Sequence, residues 1–248
     1  MPLYYLATDK RPVLNAFYSV RGFPHGYSKG GTRIASYNGL NIAFPFEEDP
    51  SFDDVWLRNV YYPYQPRRDH VVMDVGAHMG FFTLKIARKV ARVIAVEPDP
   101  TNFRFLSRNV NVNKLGGKVA LENLALGEKE RMIFLDRDGY GFGRTKTTSA
   151  KTCVSVRMTT IDNLVDRERV DRLDIIKIDT EGNELEILRG ATAALKKYKP
   201  DLLLAAYHFH CEHIHLARFL KSLRYTVSCY SIPLFLSNGT ETYLHATA

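Results

Sequence analysis

Cysteine is scarce in this sequence. Its 248 residues hold three, Cys153, Cys211 and Cys229, an odd number without C-x-x-C spacing. That argues against a disulfide frame and for a reducing, cytoplasmic setting. Long apolar runs are missing as well. None approaches the roughly 18 residues of a membrane-spanning helix, so no span is expected. The opening MPLYYLATDKRP lacks the charged-then-apolar order of a secretory signal. Two phosphate-binding fingerprints are also absent. There is no G-x-x-x-x-G-K-[ST], which sets nucleoside triphosphate hydrolysis aside, and no G-x-G-x-x-G of the kind that accepts a dinucleotide.

What is present is a βα unit built on small residues. Val71-Val72-Met73 is a short buried strand. It runs through Asp74-Val75-Gly76-Ala77-His78-Met79-Gly80 into the helical spacing of Phe81-Phe82-Thr83-Leu84-Lys85-Ile86-Ala87. The glycines permit the φ values and close backbone approach that such a turn needs. Glu97 stands twenty-three residues after Asp74, at the end of a second strand, Val93-Ile94-Ala95-Val96-Glu97. An acid at that tip is placed to accept hydrogen bonds from ribose hydroxyls. Pro98 then stops the strand.

Upstream, residues 1–31 read as loop. Arg33–Phe46 reads as a hairpin around Asn38-Gly39, and Phe52–Tyr62 as a helix capped by Ser51 and ended by Pro63. The aromatic bias of Trp56, Tyr61, Tyr62 and Tyr64 suits either a packing helix or a lid. Residues 1–69 are thus expected to form an extension and 70–248 a single α/β domain. Downstream, Thr101 is expected to cap a helix over 102–113. A third strand covers 119–124, and 131–135 with 153–158 form an excursion hairpin around a Gly-rich loop. Strand 173–179, helix 183–198, strand 201–207, helix 212–223 and strands 225–230 and 241–245 complete the pattern. Alternating strands and helices predict an α/β fold, a doubly wound and mostly parallel sheet covered on both faces.

The Asp-x-Gly-x-x-x-Gly turn followed by strand-Glu-Pro resembles the S-adenosylmethionine (SAM) site of class I methyltransferases. DVGAHMGFFT, VEPDP, ENLALG, MTTIDNL and IKIDTEGNELEILRGA then follow in the order and spacing of the FkbM family of SAM-dependent methyltransferases, over roughly residues 70–210. The resemblance implies a seven-stranded sheet, SAM as cofactor, and O-methylation of a sugar, polyketide or other small hydroxylated acceptor. SAM is expected to be held by Asp74, Gly76, His78, Gly80, Glu97 and Asn123, the last near the adenine.

Methyl transfer to oxygen needs an aligned nucleophile, a proton acceptor and a dry pocket. Lys177 and Asp179 are two apart on one strand, so they share a side near its carboxyl end, where ligands bind in such sheets. Asp179 is a candidate acceptor or base, and Lys177 a cation that lowers the nucleophile's pKa. Glu181 and Tyr207 are candidate substrate contacts. The family commonly has an acid two residues before a His; here that position is Ala206, with His208 kept. His208 is therefore expected to be a substrate-side base. The spacing of His208, His210, Cys211, Glu212, His213 and His215 matches no standard zinc pattern, and no metal is expected, with a metal held by Asp179 and His208 as the lesser alternative.

The net charge of +7 suits acidic partners, and Arg67-Arg68 with the Arg137–Arg144 loop keeps an RNA acceptor open. A domain that binds SAM without turnover is the other alternative.

Overall fold

The computed structural model describes residues 32–45, 50–136, 145–146, 153–233 and 239–248. The expected loops at 1–31 and 137–144 lie outside the described residues. Strands β1 (Thr32–Tyr37) and β2 (Leu40–Pro45) form the antiparallel hairpin, with Asn38 and Gly39 both at positive φ in its turn. The helix expected over Phe52–Tyr62 is shorter. It consists of α1 (Pro50–Asp53) and a π-helical turn, Asp54–Arg58. Asn59, in the left-handed region, ends it well before Pro63. Lys85 fastens this turn by donating to the Val55 carbonyl and to Asn59 Oδ1.

From there the chain alternates. β3 (Val71–Val75), α2 (Phe81–Ala87), β4 (Arg92–Val96), α3 (Pro100–Val112) and β5 (Val119–Glu122) come first. Asp99, not Thr101, caps α3: its Oδ1 accepts from the Thr101 and Asn102 N–H groups. β6 (Ala125–Leu126), β7 (Arg131–Asp136), β8 (Thr145–Lys146) and β9 (Cys153–Thr159) make a separate four-stranded sheet, an enlargement of the expected hairpin. α4 (Ile161–Arg167) and β10 (Ile175–Ile178) follow. The single helix expected over 183–198 is broken into α5 (Glu184–Arg189) and α6 (Thr192–Tyr198). At the break, a Cβ on Gly190 would lie 2.0 Å from the Gly127 carbonyl oxygen, so the chain turns where only glycine fits. β11 (Asp201–Ala205), α7 (Glu212–Ser222), β12 (Thr226–Pro233) and β13 (Thr240–Thr247) close the chain.

The main sheet has seven strands in the order β12-β13-β11-β10-β3-β4-β5. β11, β10, β3, β4 and β5 pair in parallel, and β13 and β12 add antiparallel at one edge. The period-2 alternation of its strands divides the core. Val72, Ala95, Ile175 and Leu203 face α2, α3 and the hairpin; Met73, Ile94, Ile176 and Leu202 face α4 to α7. No helix among the described residues is long and apolar enough to cross a membrane.

Two asparagines four apart on α3 dock the hairpin. Asn109 is fully buried; its Nδ2 donates to the carbonyls of Ala43 and Met79 (both 2.8 Å), and its Oδ1 accepts from Ala43 N–H. Asn113 makes the same two-way pair with the backbone of Asn41. Their amides replace the strand partner that β2 lacks on that side. Asn109→Ala leaves three backbone groups unsatisfied inside the protein and should cost about 2–4 kcal/mol. Chemical denaturation measures the loss, and limited proteolysis should find cleavage near Asn38-Gly39 enhanced.

Candidate active site

The turn after β3 lies against the carboxyl ends of β10 and β4. Gly76 and Ala77 N–H both donate to the Val96 carbonyl, at 3.0 and 2.9 Å. Gly76 sits at φ +71°, and a Cβ there would come within 1.9 Å of the Asp179 carbonyl oxygen. Gly80, at φ +89°, would press a Cβ to 2.7 Å from Leu106. Both positions thus require glycine, Gly76 beside a cleft and Gly80 beneath it.

Under this turn lies an ion pair that register dictates. Lys177 on β10 is paired with Asp74 on β3, and alternation puts both side chains on one face. Lys177 Nζ stands 3.2 Å from Asp74 Oδ1 and donates to the Gly76 carbonyl at 2.8 Å. Asp74 Oδ2 accepts from Thr83 Oγ1 at 2.6 Å, and Asp74 is fully buried. Sequence reasoning put Asp74 in contact with cofactor. It lies instead beneath the turn, with its side chain committed to Lys177 and Thr83. Lys177 borders the cleft, but its ammonium is turned to holding the Gly76 carbonyl.

Glu97 is buried at the tip of β4. Its Oε2 accepts from His78 N–H at 2.8 Å and its Oε1 from Asp99 N–H at 2.9 Å. Burial pushes its pKa up against these hydrogen bonds. The carboxylate borders the cleft, as do Gly76 and His78. Asn123 does not. Its Nδ2 donates to the carbonyls of Glu97 and Pro98, at 2.8 and 3.2 Å, so the side chain staples the β4 tip to the third strand.

The cleft, about 410 Å³, brings Asp179, Glu181 and Tyr207 together with residues that the sequence had not assigned: Asp54, Tyr61 and Glu241. Tyr61, just after the π-helical turn, donates its hydroxyl to Asp179 Oδ2 at 2.7 Å. Its ring packs edge-on against Phe82 and Tyr243, and Tyr207 packs edge-on against Tyr243. The aromatic bias before Pro63 was the one sequence signal for this wall.

Burial opposes the charge on Asp179, but the His208 and Lys177 cations and the Tyr61 hydroxyl outweigh it and hold the carboxyl down at about 2. His208 is a correction. Its side chain is 5% exposed and flanked on both edges. Nε2 faces Asp179 at 3.5 Å and Glu181 at 3.9 Å; Nδ1 faces Glu184 at 3.4 Å and Glu212 at 3.5 Å. Burial disfavours the imidazolium, yet these carboxylates push its pKa up to about 12. Surrounded by carboxylates that favour its protonated form, the ring is poorly suited to the expected role of base. It is a cation that balances buried carboxylates.

Asp179, Glu184 and His208 are also the one set of potential metal ligands that converges among the described residues; His210, Cys211, His213 and His215 do not join it. The two acids address opposite ring nitrogens. A metal takes only one of these, whereas an imidazolium serves both.

The cleft is acidic although the chain is basic. Among the described residues, Asp54, Glu97, Asp99, Asp179, Glu181 and Glu241 border it, against the ammonium of Lys177 and His78.

The model of the methyltransferase FkbM domain matches residues 74–227, more than half of the chain and all of the turn, the β4 tip and the His208 cluster. This chain belongs to the FkbM methyltransferase family. Among curated relatives, the hexuronic acid methyltransferase AglP of Haloferax volcanii is 29% identical over 132 residues, 53% of this chain and 54% of the relative. Methyltransferase 1 of Beauveria bassiana is 25% identical over 146 residues, 49% of this chain and 58% of the relative. The chain thus spans little more than half the length of these relatives. The crystal structure of the FkbM methyltransferase from Methylobacillus flagellatus KT superposes with a TM-score of 0.58 at 20% identity, over 78% of this chain and 47% of that one. A putative transferase from Pyrococcus horikoshii, PH0793, gives 0.54 at 16% identity over 96% and 82%. At such identities the likeness is one of fold.

The His208 cluster has a consequence for stability. An unfolded histidine loses its proton near the ordinary value of 6.5, whereas the folded ring keeps it to about 12. The stabilisation is whole below the first value and drains away as pH rises toward the second. The thermal midpoint of the wild type should fall between about pH 7 and pH 10, and His208→Gln should flatten that slope. Equal slopes in the two proteins would contradict the assignment.

Proposed function

We propose that the protein transfers a methyl group from SAM to a hydroxyl of a small, neutral, hydroxylated acceptor. The observation that carries this reading is the buried Glu97 carboxylate beside a glycine-lined turn in an otherwise acidic cleft. Such a cleft repels phosphates, which disfavours dinucleotides, and favours a ligand with sulfonium and ammonium charges and a ribose diol. Gly76 and the buried Glu97 carboxylate both border the cleft, an arrangement that fits SAM. Gly76, His78 and Glu97 would hold it. When bound, SAM supplies an electrophilic methyl group on a positively charged sulfur.

The chain's own residues then have distinct tasks. Glu97 accepts hydrogen bonds from the ribose, and Lys177 keeps the turn closed beneath the ligand. Asp179, fixed by Tyr61 and His208, accepts a hydrogen bond from the acceptor. Tyr61 and Tyr207 exclude water from the path of the displacement. Glu181 borders the acceptor's side of the cleft. The curated relative AglP is named for hexuronic acids. In the present chain the six bordering carboxylates argue against an anionic acceptor of that kind. RNA is the second reading, favoured by the net charge of +7 alone. It requires binding that weakens steeply with salt.

Calorimetry and a transfer assay test the reading together. Wild-type protein should bind SAM, and Glu97→Ala should weaken binding by about tenfold or more, roughly 1.4 kcal/mol. With SAM labelled on its methyl group and fractionated cell extract, label should enter neutral small molecules or glycans. Label in RNase-sensitive material would replace this acceptor class with RNA, and binding without transfer to any fraction would remove the enzymatic reading.

A further inference from the structure

With His208 protonated, the site described above lacks a base, and the groups around the cleft differ sharply in their freedom to take a proton. Asp179 accepts from Tyr61 and faces His208. Lys177 holds the Gly76 carbonyl. Glu241 has two donors on its Oε2, the Tyr243 hydroxyl and Arg58 at 2.8 Å, which stabilise its charge, whereas Asp54 has Arg58 alone. Glu97 accepts from two backbone N–H groups. Asp54 differs. It borders the cleft, its Oδ1 is fixed by Arg58 Nη1 at 2.5 Å, and no hydrogen bond to a described residue occupies its Oδ2.

We propose that Asp54 is the general base of the transfer, held in place by Arg58 and Glu241, on the assumption that the methyltransferase reading above is correct. Arg58 is buried, with a side chain 5% exposed, and its guanidinium also donates to the Ile232 carbonyl. It therefore spans three elements, the π-helical turn, β12 and β13, and fixes Asp54 against both edge strands. Single-turn π-helices recur at functional sites because they re-aim a side chain without breaking the helix. Here Asp54 lies on the turn and Tyr61 just after it, and both border one cavity.

The surroundings give Asp54 the proton affinity that the task needs. The charged and titratable groups facing it are Arg58 on its own turn, Glu241 and Tyr243 on β13, Asp179 after β10, and Tyr207 after β11. Burial acts first, then Glu241; together they outweigh Arg58 and raise its pKa to about 7. A base of that strength is half ionised at neutral pH and can still drive the transfer. In the step, the acceptor's O–H proton passes to Asp54 Oδ2. The acceptor oxygen forms a bond to the methyl carbon as the carbon–sulfur bond breaks, and sulfur keeps the bonding pair. The products are the methyl ether, a neutral thioether and protonated Asp54, which returns its proton to solvent.

The test uses the full chain with the extract fraction that takes up label. Asp54→Asn should lower kcat by about 10²–10⁴-fold, with SAM affinity unchanged and the protein still folded at the assay temperature by circular dichroism. Asp54→Glu should recover part of the loss. Wild-type kcat should show an acid limb near pH 7, absent from Asp54→Asn. Glu241→Gln removes one cause of the raised pKa, so its acid limb should move to lower pH. An Asp54→Asn enzyme with wild-type kcat, or an acid limb that Glu241→Gln leaves in place, overturns the assignment while leaving the methyltransferase reading intact. A wild-type protein that binds SAM but labels nothing overturns both.

Discussion

Everything around the cleft depends on one pair of charges buried where two parallel strands meet. Lys177 and Asp74 are cross-strand neighbours on adjacent central strands, so neither can leave the other without leaving the sheet. The ammonium then reaches past its partner to the Gly76 carbonyl and fixes the turn from below. A lone charge at this depth would cost several kcal/mol, and removing either partner strands the other. The pair thus converts sheet register, a property of the backbone, into the position of a ligand-binding turn.

A second layer of control comes from the N-terminal segment. The hairpin is held to α3 by Asn109 and Asn113, and α1 with its π-helical turn packs between that hairpin and α2 through Phe52, Phe81 and the Lys85 clamp. Tyr61 follows directly and hydrogen-bonds Asp179 on the far side of the cleft. The segment therefore carries side chains that line the cleft, and its hairpin is held in place by asparagine amides on a neighbouring helix.

The legible parts of the chain were those in which local pattern and final environment agree. Val71–Val75 and Ile175–Ile178 are apolar but for Asp74 and Lys177, which suits strands covered on both faces, and Asn38-Gly39 announces its hairpin. The parallel sheet followed from the alternation. What escaped detection depended on partners distant in sequence. The break between α5 and α6 is set by the Gly127 carbonyl, and the Asn109–Ala43 pair spans 66 residues. The same holds in the site. Gly76 and Glu97 were readable because turn chemistry and strand tips are local. The submerged position of Asp74, the stapling role of Asn123 and the charge on His208 each follow from neighbours that only the fold assembles.

The cleft is bordered on one side by the family-matched stretch of residues 74–227 and on the other by Asp54, Tyr61 and Glu241, which flank that stretch in the chain. The pocket is thus assembled from separate stretches of sequence. A substitution at Asp54 or Glu241 reshapes one wall from outside the stretch that supplies the glycine turn and the Lys177–Asp74 pair.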